Sequence, residues 1–146
     1  MTEKDDFTLQ DFLPYLLNRA AEESSLEFQQ HYKNRYGMLR NEWRVLFHLG
    51  NYGRMTATEI GQRAKIHKTK ISRAVAKLAE RRFVVRNRDE QDRRAEHLEL
   101  TPQGEAAYRD LREQAAIYDR QLATRLSEGE SEALRHMLRR LAGIDQ

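Results

Sequence analysis

The sequence predicts a mostly α-helical fold in which two short helices at helix-turn-helix spacing lead into a two-stranded β-hairpin, with longer helices on either side. Three observations carry that expectation. The composition is 34% charged, with two Pro and seven Gly in 146 residues, which suits long charged helices better than a β-sandwich with its frequent turns. Apolar residues recur at helical spacing from Leu9 to Ala20 and again after Pro102. Between Phe83 and Leu100 the pattern changes to a β-prone run, a polar turn and an alternating return, the signature of a hairpin.

Taking the elements in order, Leu9, Phe12, Leu13, Leu16, Leu17 and Ala20 form the stripe of a first helix. Thr8 or Asp11 is its expected cap, Pro14 falls in the first turn where a missing N–H is harmless, and its expected end is near Tyr32. Trp43, Leu46 and Phe47 mark a second helix, expected to stop at Gly50-Asn-Tyr-Gly53. Thr56-Ala-Thr-Glu59 has the form of a capping box, in which hydroxyl and carboxylate each satisfy a free backbone N–H. The short helix it opens carries Ile60 and Ala64 inward, turns at Lys65 and Ile66, and is followed by another from about His67 to Arg81. Phe83-Val-Val85 and His97-Leu-Glu-Leu100 are the hairpin strands, and Asn87 to Arg94 is its charged tip. Thr101-Pro102 starts a long helix. Its positions Ala107, Leu111, Ala115, Tyr118, Leu122 and Leu126 step like the seam of a helix–helix interface. Ser127-Glu-Gly-Glu130 breaks it, and Leu134, Met137, Leu138 and Leu141 supply a last helix. The expected division is 1–40 for the N-terminal helix and its connection, 41–101 for the helix-turn-helix and hairpin, and 102–146 for the C-terminal helices.

Composition excludes several function classes. There is no cysteine, hence no disulfide framework, thiolate catalysis or sulfur-ligated zinc. No apolar run approaches the roughly 20 residues that span a bilayer, and Met1-Thr-Glu-Lys-Asp-Asp6 is acidic and polar, unlike a secretory leader. A soluble, cytoplasmic protein without a membrane partner is expected. The chain has no nucleophile elbow, phosphate loop or dinucleotide glycine pattern, and His31, His48, His67, His97 and His136 share no metal-ligand spacing. Neither an enzyme nor a cofactor is expected.

The net charge of +3 conceals an uneven distribution. Between Arg54 and Arg94 lie 13 basic and five acidic residues, a local +8, leaving −5 on the rest. Association with nucleic acid depends on such local fields. On a helical wheel Ile71, Ala74, Val75 and Leu78 occupy one arc, and Lys68, Thr69, Ser72, Arg73, Ala76 and Lys77 occupy the other. The exposed arc offers cations and short hydroxyls, with Glu80 only at the distal end, as a helix that seats in a major groove requires. An ordinary solvated helix would intersperse acids. The hairpin tip, three arginines among three acids, reads either as a solvated loop with local ion pairs or as Asp92 orienting Arg94 or Arg93 into a narrow minor groove.

Asp92-Arg-Arg94 followed by Leu98-Glu-Leu-Thr101-Pro-Gln-Gly104 resembles the wing signature of the multiple-antibiotic-resistance regulator (MarR) family of winged-helix transcription factors. Trp43-Arg-Val-Leu46, Thr56-Ala-Thr-Glu-Ile60 and Ser72-Arg-Ala-Val75 match in kind and spacing too, so the resemblance spans nearly the whole chain. It implies a winged helix-turn-helix with N- and C-terminal dimerisation helices and a two-stranded wing, acting as a homodimeric regulator, a repressor, on a palindromic double-stranded operator. Carried over by position, Lys68, Thr69, Ser72 and Arg73 contact bases or phosphates and Arg94 is the wing arginine, with Arg93, Arg88 and Lys77 as backbone contacts. Arg82 stands where the family usually has Gly, at a position that favours a left-handed backbone. His67 is a weaker helix cap than Ser or Asp.

The resemblance further implies release from DNA by a small aromatic or phenolic ligand. Candidate lining is Arg19 for a carboxylate, with Phe28, Tyr32, Tyr36, Trp43, Phe47 and His48 around the ring. Each of these residues also has an ordinary role as core, linker or surface. The alternatives are a metal-responsive regulator, using His97 with Glu99 or His31 near Glu27, and a ligand-independent regulator of the same fold.

Overall fold

The computed structural model describes residues 7–88, 91 and 95–144. A single 3-10 turn, Leu9–Asp11, precedes α1 (Leu13–Tyr36), α2 (Arg40–Tyr52), β1 (Met55–Thr56), α3 (Ala57–Ala64), α4 (Lys68–Glu80), β2 (Val84–Arg88), β3 (Glu96–Leu100), α5 (Pro102–Ala123) and α6 (Glu128–Ala142). The strands form an antiparallel sheet in the order β1-β3-β2. Val84 pairs with Leu100 and Arg88 with Glu96, while the two-residue β1 pairs Met55 with Leu98. The chain divides into two compact units, Met1–Arg112 and Glu113–Gln146.

In the first unit the core is the inward face of each element: Val45, Leu46 and Leu49 of α2, Ile60 of α3, Ile71, Val75 and Leu78 of α4, Leu98 of β3 and Leu111 of α5. Burying each such side chain contributes about 1.5–3 kcal/mol. Arg44 of α2 donates to the Ala64 carbonyl at the end of α3, joining these helices by a charged hydrogen bond. In the second unit α6 begins at Ser127, whose hydroxyl accepts from the Glu130 N–H while the Glu130 carboxylate accepts from the Ser127 N–H. Asp119 and Arg135 form an ion pair at 2.9 Å there.

Several boundaries differ from the sequence expectation. The first helix starts at Leu13, makes no side-chain cap through Thr8 or Phe12, and runs to Tyr36, where Gly37 with φ 62° stops it. The ring packing of Tyr32 described below keeps the chain helical past the expected end. The second helix passes through Gly50, because that glycine lies under a ring: a Cβ there would stand 2.4 Å from Tyr108. The helix ends instead at Gly53. The Thr56 box is half formed. Its hydroxyl accepts from the Glu59 N–H and donates to the Glu59 carboxylate, 3.1 Å each, because the Thr56 backbone belongs to β1. That strand was not legible from two residues.

Candidate nucleic-acid interface

The sequence places its reading residues on α4, and the structure shows how that helix is held. His67 does serve as its cap: Nδ1 accepts from the Thr69 N–H at 3.2 Å, which requires the proton on Nε2. Ile71, Ala74, Val75 and Leu78 are buried, and Lys68, Thr69, Ser72, Arg73, Ala76 and Lys77 are exposed, reproducing the two arcs of the wheel. Lys68 and Ser72 also line a groove of about 310 Å³ between α3 and α4, floored by Ile66 and Ile71.

The far end of α4 answers the question raised by Arg82. That residue adopts φ 65°, the left-handed conformation glycine usually supplies, at a cost of roughly 1 kcal/mol. Its N–H bonds to the Ala79 carbonyl at 3.0 Å and that of Phe83 to Leu78 at 2.9 Å, completing a Schellman motif with Leu78 and Phe83 as its apolar pair. Arg81 folds back, its guanidinium 5.3 Å above the Phe83 ring and packed against Gly37. Beside it Glu42, a buried carboxyl 4% exposed, is pushed up in pKa by burial. The Leu39 N–H and the charges of Lys77 and Arg81 act against that push. Lys77 therefore has an internal acid near it as well as solvent in front of it. Sequence reasoning missed Glu42; the signal is an acid three residues into a helix with an apolar cap.

The hairpin strands carry exposed cations. Arg86 pairs with Glu96 at 3.7 Å, and Glu99 accepts from Asn87 at 3.3 Å while facing Arg54 at 3.6 Å. Arg88 is exposed at the end of β2. Asp92, Arg93 and Arg94 lie outside the described residues. Among the described residues no three His, Asp or Glu side chains form a metal-holding group.

Of the seven residues proposed to line a ligand pocket, the structure brings four together. Tyr32 stacks on Trp43 at 5.4 Å and 8°, Phe28 meets Trp43 edge-on at 5.3 Å, and Trp43 contacts Phe47 at 5.0 Å. Tyr108 of α5, which the sequence analysis did not single out, extends the series from Phe47 at 5.3 Å. The indole N–H of Trp43 is buried without an acceptor among the described residues. Arg19 lies apart, donating to the Tyr15 hydroxyl and pairing with Glu23 along α1. His48 donates from Nδ1 to the Arg44 carbonyl at 2.6 Å. Tyr36 donates to Asp110 at 2.6 Å, a carboxylate that also receives Arg35 at 2.7 and 2.9 Å. Burial and this bond push the Tyr36 phenol up to about 12, and the same Tyr36 and Arg35 contacts hold Asp110 below the usual carboxylate range.

Residues 36–95, from the end of α1 to the residue before β3, match the sequence model of the MarR family. Over 95% of this chain and 98% of the other, the structure superposes with TM-score 0.82 and 26% identity on the MarR family transcriptional regulator SPO1453 of Silicibacter pomeroyi DSS-3. The 36–95 segment carries the MarR-family pattern, and the fold around it is the one seen in MarR-family regulators. The chain is also 26% identical over 104 residues to the uncharacterized HTH-type transcriptional regulator YwoH of Bacillus subtilis (strain 168), covering 71% of this chain and 75% of that one. It shares its fold with Bordetella bronchiseptica BpsR, whose DNA binding is regulated by 6-hydroxynicotinic acid, at TM-score 0.83 and 21% identity over 93% and 96% of the two chains. These are regulators and not enzymes. No helix among the described residues is long and apolar enough to cross a membrane.

The motif that carried the resemblance has a physical role here. Thr101 caps α5 by accepting from the Gly104 N–H at 2.9 Å and donates to the Arg82 carbonyl at 2.6 Å. Its own N–H bonds to Phe83 at 3.0 Å. Gly104 has no side chain because the Phe83 carbonyl occupies the space: a Cβ would lie 2.0 Å from that oxygen. The Leu-Thr-x-x-Gly segment staples the end of α4 to the start of α5.

Proposed function

We propose that two copies of this regulator form a homodimer, with 1–40 and 102–146 as dimerisation elements. The two 41–101 lobes then read a palindromic double-stranded operator, and the protein is a repressor released by a small aromatic or phenolic ligand. The observation that carries the DNA reading is the exposed arc of α4, where Lys68, Thr69, Ser72 and Arg73 present cations and hydroxyls above a buried apolar face. Lys77 and Arg88 serve the backbone, and Asp92, Arg93 and Arg94 serve the minor groove from the hairpin tip. Dimerisation is supported by exposed apolar side chains: Leu9 and Leu13 near the start of α1, and Leu134, Met137 and Leu141 on α6. The ligand reading is supported by BpsR, which responds to a hydroxylated aromatic acid. In this chain the Phe28, Tyr32, Trp43 and Phe47 rings, with the unpaired Trp43 N–H, offer stacking and a donor to such a molecule.

A gel shift on duplex DNA from the regulator's own upstream region tests this reading. Binding is expected to weaken steeply with salt, with a log–log slope near −5 for about six phosphate contacts; a flat response overturns the DNA reading. A panel of aromatic acids is expected to contain one that releases the DNA. If none does, the aromatic-ligand reading is overturned, and the same assay with divalent metals separates a metal-responsive regulator from a ligand-independent one.

A further inference from the structure

Phe83 joins four elements. It lies just past the end of α4, after Arg81 and Arg82, and immediately precedes β2, so it sits where the recognition helix hands over to the wing. It is 4% exposed. The edge of Tyr36, at the end of α1, meets its ring at 6.1 Å and 86°, and the Arg81 guanidinium lies over the same ring at 5.3 Å. Its carbonyl is seated against Gly104 and accepts from the Thr101 N–H of the α5 cap. Tyr36 in turn is fixed by Asp110 of α5, a carboxylate also gripped by Arg35. The short 2.6 Å bond from a half-buried phenol to an ionised acceptor is charge-assisted and directional, so the Tyr36 ring has one position from which to touch Phe83.

We propose that Tyr36 is a positioning residue for DNA recognition, its hydroxyl anchored on Asp110 so that its ring, through Phe83, fixes the angle between the recognition helix and the wing. The inference rests on the DNA reading above. A winged helix that engages a major groove and the adjacent minor groove together needs that angle set. Binding to random DNA uses phosphates alone and tolerates a range of angles. The anchor therefore acts on discrimination more than on affinity at large. It also gives α1, which the N-terminal part of the chain brings to a partner subunit in the proposed dimer, a direct contact with the base of the wing.

The test is a double-mutant cycle in the full-length protein, with operator and random duplex DNA measured side by side at one salt concentration. Tyr36→Phe keeps the ring on Phe83 and removes the O–H; Asp110→Asn weakens the acceptor. Each single variant is expected to lose about tenfold in operator affinity and less than about twofold on random DNA, with the double variant no worse than either single one. Equal losses on both DNAs, or additive losses in the double variant, reduce Tyr36 to a structural role and overturn the proposal. Unchanged discrimination in Tyr36→Phe overturns it as well. Wild-type protein with no salt-dependent binding overturns the DNA reading itself, so the two failures are distinguishable.

Discussion

Arg82 holds a left-handed backbone that a β-carbon makes costly, yet the Schellman bonds through Ala79 and Leu78 and the Thr101 hydroxyl on its carbonyl keep it there. Replacing Arg82 with Gly is expected to raise stability by about 1 kcal/mol, a gain in Tm of about 2–4 °C by thermal denaturation. The same change removes an exposed cation beside α4. DNA affinity is therefore expected to fall as stability rises, which separates the backbone cost of this residue from its charge. The departure from glycine was legible in the sequence, and so was the left-handed position. The support that makes it tolerable was not, since Thr101 is 19 residues away in sequence. Asp110 was invisible for the same reason: it takes its meaning from Arg35 and Tyr36 on another helix, and no local spacing encodes that.

Helices were easiest to read where a period and a chemical stop coincided, and hardest where packing overrode the stop. The buried and exposed arcs of α4 followed directly from the residue order. Gly50 misled because a glycine that makes room for Tyr108 looks, in one dimension, like a glycine that ends a helix. Ser127-Glu-Gly-Glu130 read only as a break, although it is also the start of the next helix through a reciprocal cap. Ser127→Ala is expected to weaken α6 by about 1 kcal/mol. Amide hydrogen exchange in its first turn should quicken while protection across α2 and α4 stays unchanged; uniform loss of protection would mean that α6 melts with the rest of the fold. Of the candidate site, the exposed arc of α4 was legible because amphipathicity puts core and solvent-facing side chains on opposite faces. The ligand pocket was only half so. Aromatic residues at helical spacing announce a cluster, and Phe28, Tyr32, Trp43 and Phe47 form one, whereas nothing in the order of residues ties Arg19 to it.

At the level of the whole molecule, the +8 segment and the −5 remainder make a polar chain out of a nearly neutral one, and a two-fold pair would double both. Most of the apolar side chains left uncovered belong to the acidic remainder, among them Leu9, Leu13 and Leu16 near the N-terminus, and Leu134, Met137, Leu138 and Leu141 in α6. Replacing Leu138 and Leu141 with Glu is expected to convert a dimer to monomer in sedimentation, with operator affinity falling by about 100-fold or more as the two linked half-sites become independent. A variant that stays dimeric would show that α6 lies outside the interface.

The wing sheet has one long open margin, β2, with Arg86 and Arg88 along it and Val85 42% exposed. An unpaired margin of that kind is a template on which another chain can add a strand, and the charges that suit it to DNA are also what discourages a second wing from doing so. Guarding against aggregation thus falls to Arg86 and Arg88, of which Arg88 would also grip the DNA backbone in the proposed complex. Variants that neutralise them to study DNA binding should be watched for loss of solubility before any loss of affinity is interpreted.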